Sequence, residues 1–210
     1  MIKTIDINTW PRKDHFNFFR QFEEPFFGVC ININCTRAYE TCKQNGYSFF
    51  LYYLYASLKA ANSTEPFRYR IAGDKILHYE SVNASPTINR PDGTFGFGYM
   101  DYKESFSEFM NMAEIEIEKV RNSPGLVPAI TGENVIHYSS IPWINFTSLS
   151  HARSFSFKDC IPKISFGKMT ENNGIKSMPV SVHVHHGLMD GYHVGQFIDH
   201  FQELMNEDDL

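Results

Sequence analysis

From Met178 to His185 the chain alternates, with Val180, Val182 and Val184 on one side and Ser181, His183 and His185 on the other. That period of two is the mark of a half-buried strand. His186 continues the valine side, so the paired histidines are expected on opposite faces. Gly187 breaks the pattern. After it Val194, Phe197, Ile198, Phe201, Leu204 and Met205 recur at helical spacing, which predicts a closing amphipathic helix that begins at Asp190 or Gly191.

The same test applied along the chain predicts the other elements. Trp10–Phe22 reads as a short helix with Pro11 in its first turn, and Phe26–Asn34 alternates around Val29, Ile31 and Ile33 as a strand. Thr36–Gln44 predicts a helix stopped at Asn45-Gly46. Ser48 then caps a long helix reaching about Asn62, whose run of Phe, Leu, Tyr and Ala leaves too little polar surface for an outer position. Phe67–Ile71 and Ile76–Tyr79 flank a turn at Ala72–Lys75, a hairpin signal. Asn89–Gly93 is a second turn, leading into a strand with Phe95, Phe97 and Tyr99 on one side and bare glycines between them. From Ser105 the residues Phe106, Phe109, Met110, Ala113, Ile117 and Val120 form a further helix, ended by Pro124-Gly125. Ser139–Phe146 reads as a buried strand, Ser154–Lys158 and Ile161–Phe166 as further strands, and Glu171–Gly174 as a turn. Helices interspersed with hairpin-linked strands predict an α/β or α+β two-layer sandwich, its sheet mixed and largely antiparallel and covered by helices, with residues 1–210 as one domain.

Composition narrows the function classes. Apolar residues make up 42% and charged residues 20%, values of an ordinary globular chain. Nineteen Phe and eleven Tyr are many for 210 residues, and they suit a pocket or a subunit interface as well as a core. A net charge of −5 argues against a nucleic-acid partner. No apolar leader or membrane-length segment is present, and Cys30, Cys35, Cys42 and Cys160 lack metal-ligand spacing; a cytoplasmic protein with reduced thiols and no membrane association is the expectation.

The chemistry concentrates in His185-His186-Gly187-Leu188-Met189-Asp190-Gly191. A histidine at the mouth of a strand, followed four residues on by an aspartate at a helix start, is a plausible catalytic corner. The plainer reading is a packed histidine and an N-cap worth about 1 kcal/mol. A metal site on His183, His185 and His186 is disfavoured because His186 points away and no further ligand stands nearby at suitable spacing.

This H-H-x-x-x-D-G stretch matches the signature of coenzyme-A-dependent acyltransferases, and the whole chain resembles the chloramphenicol acetyltransferase family. Three more motifs agree in order: Trp10-x-Arg12-x-x-His15-Phe16, the Ser81-Val82 strand leading to Thr94-Phe95, and Ser139-x-x-Pro142-Trp143-x-Asn145-Phe146. The resemblance implies O-acetyl transfer from acetyl-CoA to a hydroxyl of chloramphenicol or a similar acceptor, directly in a ternary complex and without a metal. It makes His186 the general base, with its tautomer fixed by its own backbone carbonyl, and Ser139 the donor to the oxyanion. Asp190 would pair with Arg12 and support the site, not form a triad. Phe18, Phe19, Thr87 and Phe95 match acceptor-binding positions, and Lys168 a cofactor-binding one. The resemblance also implies a homotrimer with each site between subunits.

Several residues depart from that pattern. Glu23, Pro25, His151 and Lys163 stand where small or apolar pocket residues are usual, and Met169 replaces an aromatic residue beside the adenine. If they face the pocket, their charges must be paired, solvated or matched by a more polar acceptor. That leaves open an acyltransferase with a different acceptor, or a protein that sequesters its ligand without turnover. The same signature also occurs in dihydrolipoyl acyltransferase cores, which normally carry lipoyl and linker segments.

Overall fold

A computed structural model describes residues 2–126, 132–156, 158–207 and 210. The chain runs β1 (Ile2–Ile5), α1 (Lys13–Phe19), β2 (Phe26–Asn34), α2 (Thr36–Asn45) and α3 (Phe49–Ser63). A 3-10 turn at Glu65–Arg68 leads to β3 (Tyr69–Ala72) and β4 (Lys75–Tyr79), then β5 (Asn83–Asn89), β6 (Phe95–Phe97) and α4 (Phe106–Arg121). The last third holds β7 (Val135–Ser140), β8 (Lys163–Phe166), β9 (Thr170–Asn172), β10 (Ile175–His185) and α5 (Gly191–Asn206).

The large sheet has the order β2-β10-β8-β7-β5-β6, with β9 added to β10. Only β5–β7 and β7–β8 are parallel, so the sheet is mixed and largely antiparallel as expected. A second small sheet joins β1, β4 and β3. Val180, Val182 and Val184 are fully buried on the face that meets the helices. Against it lies α3, where Leu51, Tyr52, Leu54, Tyr55, Leu58, Ala60 and Ala61 are at most 1% exposed, so its all-round apolar sequence reflects an inner position. Ser48 and Ser105 cap α3 and α4 by accepting from Leu51 N and Glu108 N. Asn173 and Gly174, both with positive φ, turn β9 back into β10.

Some boundaries differ from expectation. The first helix is shorter than Trp10–Phe22. The apolar run Ser139–Phe146 is not a strand: β7 ends at Ser140, Ile144 N closes a turn on Ile141 O, and Trp143 and Ile144 are exposed. Residues 154–156 form no strand, and Phe157 in that expected segment lies outside the described residues. Strands β1 and β9 were not expected, and the strand expected at Ser81-Val82 is β5, which runs over Asn83–Asn89, where Pro86 and the polar residues mask its extent.

Candidate active site

His186 follows directly on β10 and is pinned by its backbone, whose N–H donates to the Pro25 carbonyl at 2.8 Å. Its ring stacks on Phe19, with centroids 4.0 Å apart and planes 7° from parallel, and touches Phe27 at 4.6 Å. The strand parity holds: His185 lies on the other face, edge-on to Phe26 and 4% exposed, and its Nδ1 accepts from Gly187 N. Burial pushes the His185 ring down to about 4, so it is neutral. The tautomer expectation for His186 is corrected. Its carbonyl is taken by Arg12 Nη2 at 3.2 Å, and its buried Nδ1 has no hydrogen-bond partner; aromatic stacking holds the ring instead.

Asp190 is both N-cap and ion-pair partner. One carboxylate oxygen accepts from Tyr192 N, and the other accepts from Arg12 Nη1 at 2.6 Å. His193 Nδ1 lies 2.8 Å from the capping oxygen. Burial opposes the charge, but the Arg12 guanidinium and His193 outweigh it and hold the carboxyl at about 2. Arg12 thus ties α5, the His186 backbone and the N-terminal segment together.

Ser139 lies elsewhere. It pairs with Ser165 on β8, which pairs with Ser181 on β10, so the three serines form one row across the sheet. His186 is five residues beyond Ser181, roughly 16 Å along the strand, and β10 is about 10 Å across from β7. Within one chain the two side chains therefore stand about 19 Å apart. Ser165 was not singled out by the sequence; its fully buried hydroxyl beside Ser139 has no partner, a feature visible only once the strands are aligned.

The other expected site residues divide between these two ends. Phe18, 58% exposed, packs on Phe19 and Phe22 at the His186 end. Thr87 lines a cavity of about 730 Å³ at the Ser139 end, together with Phe49, Tyr53, Ser140, Gly167 and Met169. Phe95 packs on Phe97 on the adjoining strand. Lys168, exposed, follows Gly167 at that cavity's rim. Glu23 and Pro25 line a separate recess of about 380 Å³ with Arg153, Asp159 and His185. Lys163 is not loose in it: its ammonium pairs with Asp159, donates to Ile161 O at 3.1 Å and lies over the Phe26 ring. His151 packs edge-on against His183, and burial followed by the nearby His183 and Lys163 pushes it down to about 4. Among the described residues no cluster of three His, Cys, Asp or Glu is arranged to hold a metal ion.

The family described as chloramphenicol acetyltransferase matches residues 1–202. A chloramphenicol acetyltransferase of Bacillus pumilus is 29% identical, the match covering 100% of this chain and 96% of that protein. One of Staphylococcus aureus is 30% identical over 95% of this chain and 94% of its own length. A solved structure named chloramphenicol acetyltransferase superposes with a TM-score of 0.90 at 30% identity, covering 98% of this chain and 100% of that one.

Proposed function

The chain belongs to the chloramphenicol acetyltransferase family, and from that premise we propose that it carries the acetyl group of acetyl-CoA to a hydroxyl of chloramphenicol with His186 as general base. The readings with a different, more polar acceptor or with sequestration alone are not favoured. His186 Nε2 takes the proton of the acceptor hydroxyl while the oxygen attacks the thioester carbonyl. The resulting oxyanion accepts from the Ser139 hydroxyl, a kind of contact worth a few kcal/mol of barrier. Collapse expels the thiolate, which recovers the proton from His186. Acetyl-CoA enters as co-substrate, and the 730 Å³ cavity that ends at β7 suits its long arm. Lys168 at the rim is placed to meet its phosphates. Phe18, Phe19, Thr87 and Phe95 would flank the acceptor, and Arg12 with Asp190 keeps the His186 backbone in place.

The observation that carries this reading is the division of the machinery. His186 and Ser139 cannot meet one substrate across about 19 Å, so one copy must supply the base and its neighbour the oxyanion donor. Exposed apolar residues at both ends, Phe18 and Phe22 near the histidine and Phe95, Trp143 and Ile144 near the serine, support such an interface, and a closed homotrimer satisfies it. None of the described helices is long and apolar enough to cross a membrane, and free thiols at all four cysteines favour a cytoplasmic setting. The test is acetyl-CoA-dependent thiol release with chloramphenicol. Turnover by the native chain should fall about 10²- to 10⁴-fold in His186→Ala with an unchanged melting temperature; equal turnover by both would overturn the assignment of the base.

A further inference from the structure

We propose that Tyr53 and Ser140 form a paired hydroxyl that binds an amide carbonyl in the arm of the thioester donor, making them specificity residues for that arm. This rests on the reading of the 730 Å³ cavity as the donor site. The two serines that end β7 face opposite sides of the sheet, as successive strand residues must. Ser139 shares the row of Ser165 and Ser181, while Ser140 opens into the cavity on the helix side and meets the Tyr53 hydroxyl at 3.0 Å.

The phenol has little freedom. Its ring is held by Phe49 at 5.2 Å, Phe50 at 5.7 Å and Phe166 at 4.6 Å, and it is 7% exposed. Burial pushes it up to about 12, so it keeps its proton at neutral pH. Ser140 is the hydrogen-bond partner of that phenol, whose ring is otherwise surrounded by aromatic neighbours. If Tyr53 donates to Ser140 Oγ, Ser140 keeps its own proton for the cavity; the reverse would leave the phenol proton without an acceptor, at the cost of a buried unmade bond. The pair therefore presents a directed donor between the apolar walls of Phe49, Ile117, Met169 and Met178. It lies one residue, roughly 3.3 Å of strand, from Ser139, the site of the thioester carbonyl. An amide close to the thioester is the acceptor group such an arm brings within reach.

Tyr53→Phe, Ser140→Ala and the double variant separate this role from a structural one. The probes are acetyl-CoA, the acetyl thioester of N-acetylcysteamine, which keeps one amide, and the acetyl thioester of butanethiol, which has none. For both amide-bearing donors KM should rise about 3- to 10-fold in each single variant and no further in the double, because the two hydroxyls act as one unit. The chloramphenicol KM, kcat with acetyl-CoA, and kcat/KM for the amide-free donor should stay unchanged. Unchanged KM for acetyl-CoA in the single variants, multiplied losses in the double, or equal losses with the amide-free thioester would overturn the proposal. Failure of the native chain to use acetyl-CoA at all would sink the donor-cavity reading and this inference with it; native turnover with unaltered variants sinks this inference alone.

Discussion

His186 and Asp190 stand four residues apart and do different work. The imidazole sits between two aromatic rings with its backbone tied to Pro25, while the carboxylate is spent on Arg12, Tyr192 N and His193. Asp190→Asn should therefore lower stability by about 1–3 kcal/mol, measured by chemical denaturation, because Arg12 keeps its charge and loses its partner. The pH dependence has a definite sign. The carboxyl titrates at about 2 in the fold against an ordinary 3.8, so its ionised form stabilises the native state. That contribution is complete above about pH 4 and fades as pH falls toward 2, so the gap between native and Asp190→Asn proteins should close over that range. A gap that widens on acidification would contradict the pairing. Much of this was legible beforehand: strand parity set the two histidines apart, and helical spacing made Asp190 a cap. The free Nδ1 of His186, the orphan hydroxyl of Ser165 and the Tyr53 phenol on Ser140 were not, because each depends on residues brought together from distant elements.

At the scale of elements, Arg70 on β3 ties the small sheet to the start of β7 in the large one. Fully buried, it donates to the carbonyls of Phe67, Tyr69, Glu133 and Val135, with burial pushing it down to about 10. Arg70→Met leaves those carbonyls without their donor and should cost about 3–5 kcal/mol, near 10 °C of melting temperature by calorimetry, with specific activity of the folded fraction retained. A melting temperature within one or two degrees of native would mean that the carbonyls find other donors. Strong periodicity made α3, α4, α5, β2 and β10 readable, and the Asn-Gly turn made β9–β10 readable in part. Strand β5 was placed only by its neighbour Ser81-Val82, and its extent escaped because its polar residues and Pro86 carry no clear alternation. The run after Ser139 misled for the opposite reason: Ile141, Trp143 and Ile144 are apolar, yet the last two face outward, where an interface would use them.

At the scale of the molecule, strand register sets His186 and Ser139 about 19 Å apart at opposite ends of one sheet, which is the basis for proposing two half-sites per chain. The residues proposed to flank the acceptor follow the same split, Phe18 and Phe19 packing at the histidine end and Thr87 lining the cavity at the serine end, with Phe95 on the strand next to it. The family resemblance already implied a site between subunits; the distance that separates His186 from Ser139 within one chain becomes visible only when strand register fixes which residues lie side by side. The most direct test is complementation. His186→Ala and Ser139→Ala proteins, each nearly inactive alone, are unfolded, mixed in equal amounts and refolded together, and acetyl transfer to chloramphenicol is measured. If each site joins the histidine of one copy to the serine of the next, about a third of the sites in mixed trimers and about a quarter of all sites in the refolded population recover both groups, and activity returns to about a quarter of native. If activity stays at the level of the separate variants while the mixed assemblies form, both groups act from one chain, and the account given for this enzyme is wrong.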